Sequence, residues 1–220
     1  MSIRKPSMNR RDSLQCLAAG LALASPVGTL FAQGALQEGR DFKRVETPVA
    51  VPDGKVDVVE FFGYWCPHCN AFEPQLDAWA KKLPAAQVSF RRIPVAFNAA
   101  HEVYQRLFFA LESLGLVESL HRKVFAAVHV QHVSFIKDAD VATWVTANGA
   151  DGAKVADAMK SFSVASKLRQ ARALADGFHI DGVPTLGVQG RYMTSPSIAG
   201  GPDRALAVAD ALIAQHSKKS

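Results

Sequence analysis

Residues 56–65 form a nearly continuous apolar and aromatic run, interrupted by Asp57 and Glu60, that leads directly into Cys66-Pro67-His68-Cys69. Such a run reads as a strand buried on both faces, the kind found at the centre of a sheet with layers on either side. Directly after it, Phe72, Leu76, Trp79 and Leu83 recur at helical spacing. Lys81 and Lys82 suit the negative end of that helix, and Pro84 stops it. Pro74 lies inside the same stripe and predicts a kink. A buried strand that passes straight into a helix, with two cysteines at the junction, limits the chain to layered α/β architectures.

The remaining pattern fits this frame. Residues 42–49 read as an edge strand, with Pro48, Pro52 and Asp53-Gly54 breaking the chain at its far end. Residues 88–97 read as a second strand. The middle of the chain is then helical by periodicity. Val103, Leu107, Leu111 and Leu114 make one stripe ending at Gly115, and Leu120, Val124 and Val128 make another. Asp138 is the expected N-cap of a helix carrying Val141, Trp144 and Val145, stopped by Asn148-Gly149. Asp151 caps a short helix with Val155 and Met159, and a longer helix spans 163–176, closed by Gly177. The strand pattern returns at 183–188, and Gln189-Gly190 turns the chain into Arg191-Tyr192-Met193. Pro202 opens a final helix with Leu206, Ala209 and Ile213 on one face. The order is a β-α-β unit and a β-β-α unit with a helical insertion between them. A right-handed crossover makes the first unit parallel.

The N-terminus reads as an address. Arg10 and Arg11 precede an uncharged apolar run at 14–24, then Ser25-Pro26-Val27-Gly28 and small residues ending at Ala32. These are the parts of a secretory signal, with cleavage expected after Ala32 and Ala22-Leu23-Ala24 as the rival site. The run is short for a membrane span. Asn9-Arg10-Arg11-Asp12-Ser13-Leu14 has a weak twin-arginine look. Cys16 is an ordinary leader residue, which leaves Cys66 and Cys69 as the cysteines of the mature chain. The formal charge is +5, of which residues 1–32 carry +3. The remaining +2 is too small to argue for a nucleic-acid partner.

The chemistry gathers at the junction. Cys66 is placed at the N-cap and Pro67 at the first helical position, where its missing N–H costs nothing. Cys69 comes one turn later on the same face. The positive end of the helix and its free N–H groups favour a Cys66 thiolate, and a protonatable His68 adds to this. A stabilised thiolate means a stabilised reduced form, and hence a more oxidising disulfide. Cys69, shielded by the turn, is expected to keep a higher pKa and act as the resolving thiol. Glu60, a charge inside a buried strand, needs a partner or a proton. It is expected below the disulfide, accepting the Cys69 proton directly or through water; the competing reading is a carboxylate paired with a lysine. In Val183-Pro184-Thr185, a proline opens a strand where its missing N–H does no harm.

Other readings of the cysteine pair stay open. A structural disulfide closing so short a loop restrains the unfolded chain least. A zinc centre needs a second ligand pair, and the mature chain has no further cysteine. A c-type haem needs His after the second cysteine, where Asn70 stands. Cys66, His68 and Cys69 with a distant His could form a copper or zinc module. His129 and His132 are read as residues of an exposed helix face.

The segment Glu60-Phe61-Phe62-Gly63-Tyr64-Trp65-Cys66-Pro67-His68-Cys69, together with Gly182-Val183-Pro184-Thr185, resembles the DsbA family of periplasmic thiol:disulfide interchange proteins. The likeness covers about residues 35–215. It implies a thioredoxin fold with an inserted all-helical domain: a signal peptide at 1–32, a thioredoxin-like domain at 33–98 and 164–220, and the insertion at 99–163. It implies a periplasmic oxidase that donates a Cys66–Cys69 disulfide to unfolded exported proteins and has no cofactor beyond that disulfide. A DsbB-like quinone-linked membrane oxidase would regenerate it, and the chain is expected to be monomeric. By the same match Cys66 is the nucleophile, Cys69 resolves, Glu60 is the buried acid and Pro184 is the cis-proline. Val183 would offer its backbone to an extended substrate, and Trp65 would line the substrate surface, with Phe62 in the core. Pro74 departs from the best-known member and is a thioredoxin feature. A periplasmic reductase or isomerase is the alternative within the same chemistry, although related isomerases carry an N-terminal dimerisation domain for which the chain ahead of the first strand is too short.

Overall fold

The computed structural model describes residues 36–52 and 54–217. The expected leader, with Cys16 and its cleavage site, lies outside these residues. The sheet is built from β1 (Lys43–Arg44), β2 (Val56–Phe62), β3 (Val88–Pro94), β4 (Thr185–Val188) and β5 (Tyr192–Thr194), in the spatial order β1-β5-β4-β2-β3. β2 and β3 are parallel and joined by α1 (Pro67–Ala80). The pairs β2–β4, β4–β5 and β1–β5 are antiparallel. Between β3 and β4 the chain forms α2 (Glu102–Ser113), α3 (Val117–His129), α4 (Asp138–Ala147), α5 (Gly152–Met159) and α6 (Phe162–Gly177). After β5 come α7 (Pro196–Ala199) and α8 (Pro202–Ser217).

β2 explains the layering. All of its residues are buried, and they divide by parity as a strand must. Val56 and Val58 pack with Val88, Val188 and the α8 residues Val208, Leu212 and Ile213. Val59 and Phe61 join the larger cluster that holds Phe178 and the apolar faces of α2 to α6. The two acids of the strand, Asp57 and Glu60, therefore lie on opposite faces. The β4–β5 hairpin turns at Gln189 and Gly190, both left-handed with φ of 53° and 60°, the pattern of a two-residue hairpin turn. A Cβ at Gly190 would stand 2.0 Å from the Val49 carbonyl oxygen, so glycine is required there.

Several boundaries differ from expectation. The edge strand shrinks from 42–49 to Lys43–Arg44, although Val45 and Val49 still donate to the Arg191 and Gly190 carbonyls. β2 ends at Phe62 rather than at residue 65, because the Cys66 N–H turns back onto the Gly63 carbonyl at 3.0 Å. β3 ends at Pro94 and β4 begins at Thr185. α1 contains Pro74, as expected, but ends at Ala80, short of Pro84. The N-cap of α4 is Lys137, not Asp138: Asp140 accepts from the Lys137 N–H at 3.0 Å, while Asp138 pairs with Arg106 at 2.9 Å. α6 starts at Phe162, capped by Ser161, and the left-handed residue beyond it is His179 rather than Gly177. α7 was not anticipated; Ser195 caps it by accepting from Ile198 N–H.

Candidate active site at the start of helix α1

Cys66 is the N-cap of α1 and Pro67 its first residue, as the sequence implied. The Cys69 N–H donates to Cys66 Sγ at 3.4 Å, which takes up one of the free donors of the first turn. Both cysteines are buried and present as free thiols. The Cys66 thiol is pulled down to about 6. The largest cause is a hydrogen bond from the Cys69 thiol; burial works against it, and the N–H groups of Cys69 and His68 and then the charge of His68 assist. His68, expected to add to the stabilisation, does so through its backbone N–H and, least of these influences, through its charge, in keeping with its exposed position. Burial and the neighbouring Cys66 push the Cys69 thiol far up. The pair is polarised: one sulfur is prepared to be a thiolate and the other holds its proton.

Two further segments close on this sulfur. The Cys66 thiol donates to the Val183 carbonyl at 3.4 Å, so the loop before β4 sits against it. The Val183–Pro184 peptide bond is cis. Thr185 Oγ donates to the Gly182 carbonyl at 2.9 Å within the same loop. On another side stands Trp65, half-buried, its Nε1–H donating to the Val95 carbonyl at 3.2 Å. Its indole stacks on the His101 ring, with centroids 3.8 Å apart and planes 9° from parallel, and meets the edge of Phe97. A Cβ at residue 63 would lie 2.5 Å from that indole, so Gly63 makes room for it. Phe62 is fully buried and belongs to the core.

Glu60 is buried, and its partner is neither the cysteines nor a lysine but Arg92, whose Nε–H donates to Glu60 Oε2 at 3.0 Å. The same guanidinium donates through Nη2 to Glu73 Oε1 at 2.8 Å and lies 4.0 Å from Asp77. Glu73 is one turn beyond Cys69 on α1, which brings this cluster to the cysteine-bearing face of the helix. Burial pushes Glu60 up to about 8, against the opposing pull of Arg92. The charge of Glu60 in turn adds to the rise of Cys69. Arg92, Glu73, Tyr64 and His121 were not singled out in the sequence. A usable signal existed for Glu73, an acid four residues after Cys69 on the apolar side of a helix. His129 is not on an exposed face: its Nε2 donates to the Tyr64 carbonyl at 2.8 Å. His132 lies beyond α3, with φ of 57°. Among the described residues no group of three or more His, Cys, Asp or Glu side chains is placed to hold a metal ion.

A family profile for a DSBA-like thioredoxin domain matches residues 90–212, and a thioredoxin profile matches residues 43–105. The thiol:disulfide interchange protein DsbA of Burkholderia cepacia is 39% identical, over 92% of this chain and 93% of that protein. The chain belongs to the DsbA family. DsbA of Pseudomonas aeruginosa is 37% identical over 90% of this chain and 93% of its own length. The crystal structure of Pseudomonas aeruginosa DsbA superposes with a TM-score of 0.79 at 36% identity, covering 82% of this chain and 94% of that one. The fold is accordingly the thioredoxin fold with a helical insertion between β3 and β4. The chain is a thiol:disulfide oxidoreductase whose redox group is a cysteine pair rather than a bound cofactor.

Proposed function

We propose that the protein oxidises exported proteins by donating a Cys66–Cys69 disulfide. A substrate thiolate attacks Cys66 Sγ, the S–S bond breaks, and Cys69 leaves as a thiolate that takes up a proton. A second substrate thiolate then attacks the substrate sulfur of the mixed disulfide and releases the Cys66 thiolate. The substrate loses two electrons and this chain gains them. The observation that carries the direction is the polarised pair, with Cys66 drawn down to about 6 and Cys69 pushed up. A stable thiolate is a good leaving group and makes the reduced form the favoured one.

In this reading Cys66 is the nucleophile of the reverse step and Cys69 resolves. Pro67 and His68 shape the helix start, and Glu60, through the Arg92 cluster, takes and returns the Cys69 proton. Pro184 and Val183 border the sulfur, and the Val183 backbone receives an extended substrate segment when Cys66 is oxidised and no longer donates to it. Trp65 lines the approach. Residues 99–163 act as the inserted helical domain on the thioredoxin-like parts 33–98 and 164–220. The substrates are other proteins, in which it forms disulfides. We place it in the periplasm, as a monomer, after removal of residues 1–32, with a DsbB-like quinone-linked oxidase to withdraw the electrons. No helix of the described residues is long and apolar enough to cross a membrane.

Equilibration of the protein in glutathione buffers, read by Trp65 fluorescence, tests the direction. The expected potential is more oxidising than the glutathione couple. A strongly reducing, thioredoxin-like value would make the protein a reductase, and the absence of a reversible two-electron transition would overturn both roles.

A further inference from the structure

Tyr64 stands two residues before Cys66, fully buried, and helix α3 holds it at two points. His129 donates to its carbonyl at 2.8 Å, and His121 Nδ1 lies 2.7 Å from its hydroxyl. The other nitrogen of His121, Nε2, is 3.4 Å from Glu73 Oε1, the oxygen that Arg92 also contacts, close enough for an electrostatic contact but without the alignment of a hydrogen bond. His121 is buried and ringed by Phe62, Phe108 and Phe125. It is thus a polar link from the inserted helices to the acid cluster on the cysteine-bearing helix.

The surroundings of the ring fix where its proton sits. Glu73 Oε1 already accepts from Arg92 and faces Nε2, so the tautomer with its hydrogen on Nε2 is the one that suits this neighbour. Nδ1 is then the acceptor, and the Tyr64 hydroxyl donates to it. The opposite tautomer would aim a lone pair at a carboxylate in a dry site, where such a mismatch is costly. The charged groups facing His121 are Glu73 and Asp77 of α1 and Arg92 of β3, with Glu60 of β2 behind Arg92 and Tyr64 on the other ring nitrogen. Burial pulls His121 below the usual histidine value, with Glu73 opposing, so the ring is neutral at pH 7.

We propose that His121 is a positioning residue for the redox site: held from α3 by the Tyr64 hydroxyl, it aims Nε2–H at Glu73 Oε1 from 3.4 Å, and so sets how tightly the Glu60–Arg92–Glu73 cluster holds its proton. Two buried carboxylates share one guanidinium, and each has one oxygen without a hydrogen-bond partner, Oε1 of Glu60 and Oε2 of Glu73. An N–H dipole aimed at the Glu73 carboxyl favours the ionised cluster; its loss favours the protonated one. The release of this proton belongs to the group of acids rather than to one member. The inference deepens the function proposed above, and rests on it for the claim that the cluster serves Cys69.

The first test is the ¹⁵N–¹H pattern of the His121 ring at pH 7 in the reduced protein. A neutral Nε2–H tautomer is expected; a neutral Nδ1–H tautomer or an imidazolium would overturn the assignment. The second tracks the ¹³C shifts of the Glu60 and Glu73 carboxyls with pH. His121→Leu should move the pH of proton release upward by about one unit, the scale of losing one N–H dipole aimed at a buried carboxylate, and His121→Gln, whose amide can donate and accept, should restore most of it. A folded His121→Leu protein with the parent's profile would overturn the proposal. If that variant does not fold, the ring tautomer of the parent protein decides alone. Neither reading uses a redox partner, so a reducing potential in glutathione would sink the oxidase role while leaving these results to stand or fall separately.

Discussion

Two adjacent arginines on β3 each pair with an acid of β2, and the two pairs are built differently. Arg91 grips Asp57 with two parallel bonds of 3.0 Å, one to each carboxylate oxygen. The acid is 2% exposed and the arginine 34%, so the rest of the guanidinium is open to solvent. Arg92, only 15% exposed, divides itself between Glu60 and Glu73 and leaves an oxygen of each without a partner. The first pair is saturated and has the geometry of a strand clamp. The second carries one cation for two buried acids, which is why burial can raise Glu60 to about 8. An acid and an arginine on the same two strands thus give a fixed joint on one face of the sheet and an under-paired acid cluster on the other, on the side of the helix that bears the cysteines. Unsatisfied buried valences are expensive, and here they coincide with the reactive end of the molecule.

The contrast can be broken most severely at Arg92. Arg92→Met leaves two buried acids facing each other, and urea unfolding at pH 7 should show a loss of about 3–5 kcal/mol. A loss no larger than that of Arg91→Met would erase the distinction. Glu60→Gln acts in the opposite sense. With a folded pKa near 8 against 4.5 for an ordinary glutamate, the native protein keeps a proton that the unfolded chain releases. Stability therefore falls as pH rises between those values and the penalty is complete above them. Glu60→Gln should flatten that fall and raise the unfolding free energy at pH 8 by about 2 kcal/mol; parallel pH curves for variant and parent would show that Glu60 is ionised throughout. Asp57→Asn should have the smallest effect, about 1 kcal/mol, because half-buried Arg91 can turn towards water. It should leave the rate of glutathione oxidation unchanged, and a changed rate would mean that both pairs serve the cysteines.

Much of this was legible along the chain where the determinant is local. Cys66 before Pro67 marked a helix start, Gln189-Gly190 a hairpin and Asn148-Gly149 a helix stop, and each stands where the sequence placed it. Residues 63–65 were misread as strand because an unbroken apolar run carries no mark of where the chain turns. Asp138 was misassigned because Lys137 precedes two acids in the same turn, and the second of them, Asp140, makes the capping bond. The cluster around Arg92 was out of reach for another reason. Glu60 meets Arg92 across parallel strands, and Tyr64 meets His121 across the whole of α1, β3 and α2. No local pattern tells which of two arginines will be saturated, since that depends on Glu73 arriving from α1 on one face alone.

Disulfide donation by this pair depends most directly on the state of the nucleophilic sulfur. Thiolate absorbance of the reduced protein, measured against pH and compared with Cys66→Ser, isolates that group. A midpoint of about 6 that disappears in the variant is expected. A midpoint near 9, the ordinary thiol value, would mean that Cys66 is not a stabilised thiolate and would contradict the assignment of this pair as a disulfide donor.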